Sequence, residues 1–211
     1  ENIHKVIDPL FLNDLRDEFD QIKSIKTEKI RNNKLEAFQD KLANIKFLDP
    51  AAGSGNFLTE TYISLRKLEN EAIKTRFGDQ IFMGDVENPI KVSLDQFYGI
   101  EINDFAVTVA KTALWISEDQ MMKETEEIIH ANIDFLPLKS YANIVEGNAL
   151  RMDWEEVVDK NDLDYIMGNP PFVGARLMTA SQRKDIIGVF GEKYKNVGNL
   201  DYVTGWFKKA F

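Results

Sequence analysis

The stretch at 46–57, Lys-Phe-Leu-Asp-Pro-Ala-Ala-Gly-Ser-Gly-Asn-Phe, restricts what this chain can become more than any other. Ile45, Phe47 and Leu48 read as the end of a buried strand. Asp49, Pro50, Ala51, Ala52, Gly53, Ser54 and Gly55 form a loop of small residues. Asn56, Phe57 and Leu58 then open a helix that runs towards Glu69. A strand, a small-residue turn and a helix N-terminus bring backbone N–H groups close to a ligand. Glycine suits such a turn because no Cβ blocks the sharp bend or the approach of the ligand. The dinucleotide fingerprint needs three glycines, G-x-G-x-x-G. Here Gly53 and Gly55 are followed by Phe57 and Leu58, so the third is missing. An ordinary strand–helix turn is the other reading of the loop taken alone.

The rest of the chain alternates helices and strands. Over residues 10–43, Leu12, Leu15, Phe19 and Ile22 follow helical spacing, and Leu35, Phe38 and Leu42 continue it after a break expected at Asn32 and Asn33. This segment reads as a helical cap with no chemistry of its own. Residues 70–95 read as an excursion, a hairpin being one form. A second strand follows at Gln96–Asn103, then a helix over Asp104–Gln120. After an irregular stretch (Phe135, Leu136, Pro137, Leu138) come a third strand at Asn143–Glu146 and a fourth at Asp164–Gly168, with a further helix beginning near Asp201. Strands alternating with helices imply a mostly parallel sheet whose site lies at the carboxyl ends of the strands.

Four segments with chemical character end those strands: 49–57, 101–102, 147–150 and 169–172. Glu101 stands where one carboxylate can accept from both hydroxyls of a ribose. It lies 48 residues after Gly53, beyond the ~20 of the dinucleotide pattern; a helix N-terminal charge is the alternative. Asn148 can read the edge of an adenine ring or simply form a turn. Asn169-Pro170-Pro171-Phe172 is the most chemical of the four. Two prolines stiffen the backbone and remove two N–H donors, leaving the Asn169 amide and the Pro170 carbonyl as acceptors for a substrate NH2 group. Gripping its hydrogens would favour a pyramidal nitrogen and free the lone pair for in-line attack on an electrophile. Such catalysis is positioning and electrostatics. Phe172 offers a flat face for the substrate ring.

Composition adds limits. With 44% hydrophobic and 29% charged residues the 211-residue chain has the make-up of a globular protein. No apolar run approaches the ~18 residues of a membrane span, and Glu1–Lys5 shows no signal-peptide pattern. With no cysteine, and with His4 and His130 far apart in sequence, no metal site is expected. The expectation is a cytoplasmic protein without a membrane partner. The net charge of −9 is unusual for a DNA-binding chain. It is uneven, however: residues 173–211 hold seven Lys or Arg against three Asp or Glu, a balance of +4 that leaves −13 on the remainder. A basic tail permits phosphate contact; a solvated surface is the alternative.

Asp-Pro-Ala-Ala-Gly-Ser-Gly-Asn-Phe, Gly-Ile-Glu-Ile-Asn, Gly-Asn-Ala-Leu and Asn-Pro-Pro-Phe occur in the order found in γ-type adenine-N6 DNA methyltransferases, and the chain resembles that family over most of its length. Ala-Leu-Trp-Ile at 113–116, Gly-Asn-Ala-Leu-Arg-Met-Asp-Trp at 147–154 and Leu-Asp-Tyr-Val-Thr-Gly-Trp-Phe at 200–207 make it similar to the MmeI-like type IIG restriction–modification methylases. The resemblance implies an α/β fold: a partial Rossmann-like, S-adenosylmethionine (SAM)-dependent methyltransferase core at 45–211 behind a helical cap at 1–44. It implies SAM as cofactor. Asp49, Pro50, Ala51, Gly53, Gly55, Asn56 and Phe57 would shape its pocket, Glu101 would hold its ribose, Ile102 would pack on its adenine, and Asn148 and Ala149 would lie at the adenine edge. Asn169, Pro170, Pro171 and Phe172 would hold the target base, which must leave the duplex to react. The family's sheet has seven strands, so a four-stranded chain is expected to be part of a larger enzyme. Double-stranded DNA would be the partner of that enzyme, with target-recognition and nuclease domains in the same polypeptide. No Asp-x-Lys or Glu-x-Lys triplet of a nuclease occurs here, and Asn148 stands where many relatives carry Asp. A protein-glutamine or RNA amino-methyltransferase, a catalytically silent SAM- or DNA-binding module and, least supported, a dinucleotide dehydrogenase are the competing readings.

Overall fold

A computed structural model of the chain describes residues 2–78, 88–131, 133, 142–191, 194 and 196–211. At its centre the described residues form a parallel sheet of β1 (Phe47–Asp49), β2 (Phe97–Glu101), β3 (Asn143–Glu146) and β4 (Tyr165–Ile166), in the order β3-β2-β1-β4. The chain steps outward from β1 to β2 and β3, then returns to the far side of β1 for β4. Strand order therefore reverses between β1 and β4, and the crevice outside the carboxyl ends at such a reversal is where open α/β sheets bind ligands.

Side chains of a strand alternate between its faces, and here the two faces feed two cores. Phe47 and Phe97 belong to the larger core and Leu48 and Ile100 to the smaller. In the register Phe47 lies beside both Phe97 and Tyr165. Their rings stack on that of Phe47, each with centroids 5.5 Å away.

The larger core is closed by the N-terminal helices. The helix α1 (His4–Ile7) runs through a π-helical turn (Asp8–Leu12) into α2 (Asn13–Lys23), and α3 (Glu28–Asn44) follows. Leu15, Phe19 and Ile22 of α2 and Leu35, Phe38 and Leu42 of α3 are buried with Phe47 and Phe97. Phe11 lies 5.0 Å from Phe47, ring to ring. The helical segment thus shares the core of the sheet. The expected break at Asn32 and Asn33 does not occur; both lie inside α3, and the chain breaks at 24–27. The low helix propensity of two asparagines yields to packing, because Leu35, Phe38 and Leu42 meet the same core as α2 only if the turn comes earlier.

The next two helices outrun their expected ends at Glu69 and Gln120. They are α4 (Asn56–Phe77) and α5 (Asp104–Ile129), whose later turns bury Ala72 and Ile73, and Met121, Thr125 and Ile129. A polar cluster joins them. Arg66 and Glu69, 1% and 0% exposed, form an ion pair. Arg66 also donates to Thr125 Oγ1 at 2.7 Å. Glu69 accepts the backbone N–H groups of Lys91 (2.7 Å) and Val92 (3.2 Å), tying the segment before β2 to α4. Of the expected excursion at 70–95, residues 70–77 are helical and 79–87 lie outside the described residues, as do 134–141, where the irregular Phe135–Leu138 falls.

The smaller core lies under α6 (Ala180–Phe190) and α7 (Thr204–Ala210). The helix at 180–190 has no counterpart in the sequence reading, and the last helix starts at Thr204 rather than near Asp201. β4 is shorter than 164–168, although the Met167 N–H still bonds the Leu48 carbonyl at 3.0 Å. No helix among the described residues is long and apolar enough to cross a membrane.

Candidate active site

A cavity of about 830 Å³ opens at the carboxyl ends of the strands. Pro50, Ala51 and Gly53 after β1, Glu101 at the end of β2 and Ile102 after it, Asn148 and Ala149 after β3, and Asn169 and Pro171 after β4 all line it. All four strand-end segments thus meet at one place. Asp49, Gly55, Asn56, Phe57, Pro170 and Phe172 are not among its lining residues.

The loop after β1 is held from several sides. Gly55 has φ 80°, in the left-handed region, and begins α4; a Cβ there would lie 2.9 Å from that of Ala110 on α5. Both its backbone and its neighbour therefore demand glycine. Asp49 is buried at 1% exposure and accepts the Ala51 N–H at 2.9 Å. Burial pushes its carboxyl up to about 7. Residue 168 must be glycine for the same carboxylate's sake, since a Cβ there would fall 2.3 Å from Asp49 Oδ1. Asp49 thereby connects the first loop to the start of Asn169-Pro170-Pro171-Phe172. Phe57 packs partly buried against the larger core.

Glu101 grips the loop directly. Its Oε2 accepts the Gly53 N–H at 2.8 Å and its Oε1 accepts the Asn103 N–H at 3.0 Å. Each carboxylate oxygen can accept twice, so one lone pair on each is left over. Asn103 caps α5, accepting the N–H groups of Phe105 (3.0 Å) and Ala106 (3.2 Å). Ile102 is 67% exposed beside the cavity.

After β3, Asn148 makes a turn and more. Its Oδ1 accepts the Leu150 N–H at 2.9 Å, and its Nδ2 donates to Asp185 at 3.1 Å. Asn169 and Phe172 are exposed on the loop after β4, Phe172 at 77%.

The model of the MmeI DNA-methyltransferase domain matches residues 24–211. The chain belongs to this family. DNA methyltransferase A of Bacillus subtilis is 41% identical over 209 residues, 98% of this chain and 23% of that protein. A putative type II restriction enzyme and methyltransferase of Methanocaldococcus jannaschii is 29% identical over 178 residues, 80% of this chain and 14% of that one. The type IIL restriction–modification enzyme MmeI, solved in complex with DNA, matches at a TM-score of 0.90 and 41% identity, over 99% of this chain and 27% of that one. The chain therefore spans about a quarter or less of the length of these relatives.

This MmeI-family cavity has a wall that the sequence reading missed. Thr179, Ser181, Gln182 and Asp185 from α6 and its cap line it, with Arg151, Tyr202 and Trp206. A signal existed: Thr179 and Gln182 form a reciprocal capping box, the T-x-x-Q pattern that announces a helix start. Trp206 donates from Nε1 to the Pro50 carbonyl at 2.9 Å, joining α7 to the first loop. Tyr202 is pushed up to about 12, by burial first and then by Asp185 beside it. In the basic segment Arg176, Lys184 and Lys208 are exposed. Arg183 donates to the Ala175 carbonyl (2.8 Å) and Lys209 to that of Met152. Lys193 and Lys195 lie outside the described residues.

Proposed function

We propose that this chain is the modification core of a restriction–modification or phage-defence enzyme, transferring a methyl group from SAM to the N6 amine of an adenine flipped out of double-stranded DNA. The observation that carries this reading is the meeting of four strand-end segments on one cavity at the point where strand order reverses. The family and the names of its relatives support DNA as the substrate.

The lining suits the cofactor. Small residues at Pro50, Ala51 and Gly53 leave room, Glu101 keeps two lone pairs, and an amide stands at Asn148. SAM, when bound, supplies an electrophilic methyl group on sulfur. Glu101 would accept from its ribose hydroxyls, Ile102 would cover its adenine face, and Asn148 and Ala149 would meet the adenine edge. Asp49, Gly55, Asn56 and Phe57 would act through the shape of the loop and the helix it begins. At the target, the Asn169 amide oxygen and the Pro170 carbonyl would hold the two amine hydrogens while Pro171 keeps the frame stiff. Phe172 would stack on the extruded ring, and unstacking costs a few kcal/mol that such contacts repay. Target-recognition and nuclease parts would lie elsewhere in a longer polypeptide working in the cytoplasm.

The test uses the full-length protein and SAM carrying a labelled methyl group, with duplex DNA, RNA and a glutamine-containing protein as acceptors. Label in DNA, recovered after digestion as N6-methyladenine, is the expected result. Label in RNA or protein alone, or on cytosine, would contradict it.

A further inference from the structure

Asp185 has no task in the proposed reaction, yet it is buried at 6% exposure against the cavity. Its two oxygens receive three hydrogen bonds from outside its helix. Arg151 Nε donates to Oδ1 at 2.6 Å. Asn148 Nδ2 and the Tyr202 hydroxyl each donate to Oδ2 at 3.1 Å. Burying a carboxylate is costly, and an apolar side chain could seat α6 as well. A carboxylate adds something an apolar group cannot: an acceptor for the Asn148 amide.

That acceptor decides which way Asn148 faces. The Leu150 N–H requires the amide oxygen, and Asp185 requires the amide nitrogen. A flipped amide would set N–H against N–H and oxygen against carboxylate. In the observed orientation Asn148 has one oxygen lone pair and one N–H left. Those are the groups with which an asparagine pairs to the amino and ring-nitrogen edge of an adenine.

We propose that Asp185 is a positioning residue that locks the Asn148 amide, through Nδ2, so that one acceptor and one donor remain for the adenine of the cofactor. This rests on the SAM reading given above. It has a chemical corollary: with a carboxyl at 185, a second one at position 148 would have to share a proton with it, since like charges this close cannot both ionise, and it would offer the adenine no N–H. Asn148→Ala removes the amide altogether, so with alanine at 148 the identity of residue 185 no longer bears on the adenine.

The experiment measures SAM affinity by calorimetry, and kcat and KM for SAM, in the full-length protein and in Asp185→Asn, Asn148→Ala and the double variant. Each single change is expected to weaken SAM binding about tenfold or more, with the loss falling on KM rather than kcat. In the double variant the losses are expected not to add, its affinity staying within about twofold of that of Asn148→Ala alone. A role confined to packing would lower Tm and the active fraction and leave KM of the folded enzyme unchanged. Asp185→Asn binding SAM as wild type does, or losses that simply add in the double variant, would overturn the proposal. If Asp185→Asn alone fails to fold, the double variant, in which no amide faces residue 185, carries the test against Asn148→Ala: equal affinity supports the proposal, weaker affinity overturns it. A wild-type protein that binds no SAM would bring down the cofactor reading itself, a result distinct from wild-type binding with additive losses.

Discussion

Asn169 lines the cavity and is followed by two prolines, so its amide enters a frame that the chain cannot easily relax. On the proposed reading, Asn169→Ala removes an acceptor for the target amine and leaves the cofactor side untouched. Methyl transfer by the full-length enzyme should be lost while SAM affinity stays within about twofold; a parallel loss of binding would put Asn169 on the cofactor side. Asp49 belongs to stability rather than contact. Burial raises its carboxyl to about 7 from the ordinary 3.8, so the folded state holds the proton more firmly than the unfolded chain. Its favourable contribution is full below the ordinary value and is lost as pH rises through about 7. Asp49→Asn keeps the acceptor for the Ala51 N–H and removes the charge. It should therefore raise stability at pH 8 by ~2–4 kcal/mol, with the gain vanishing near pH 4, as read by urea denaturation across pH. At this scale the sequence spoke clearly where rare residue types cluster, as in Gly53-Ser54-Gly55 and Asn169-Pro170-Pro171. It was silent on Asp185, an aspartate in a mixed polar stretch whose burial depends on Tyr202 and Arg151 reaching it from elsewhere.

Among the elements, α4 shows how tertiary packing overrides a local reading. Arg66 and Glu69 stand three apart, the spacing of an ordinary surface pair. Here the N-terminal helices, α5 and the segment at 88–93 cover α4 from several sides, and the pair is buried. Glu69 does double duty, as counter-charge to Arg66 and as acceptor for two backbone N–H groups. Glu69→Ala should cost about 3–5 kcal/mol, the range for stranding one member of a buried pair, and should free the amides of Lys91 and Val92 to exchange with solvent. A loss under 1 kcal/mol in chemical denaturation would mean that Arg66 finds water instead. The strands were legible from apolar runs bounded by small residues. Helix ends were less so, because the later turns of α4 and α5 are fixed by partners distant in sequence. The α3 register followed burial of Leu35, Phe38 and Leu42 over the propensity of two asparagines.

For the molecule as a whole, one topological fact organises the rest. A parallel sheet ordered β3-β2-β1-β4 brings segments up to 120 residues apart in sequence, from Asp49 to Asn169, to one edge. That much followed from alternating elements and from motifs that each end a strand. The wall supplied by α6 and α7 did not, because it depends on how the chain after Phe172 folds back over the smaller core. The central claim is that this edge holds SAM, with Glu101 as the residue that fastens both the loop and the ribose. Its most direct measurement is a calorimetric titration of the full-length protein with SAM, with NAD as competitor and Glu101→Ala as control. The account predicts binding of SAM and not NAD, weakened by ~1.5–3 kcal/mol in the variant, the value of hydrogen bonds to a charged group. Binding of NAD in place of SAM, or an unchanged SAM affinity in Glu101→Ala, would contradict it.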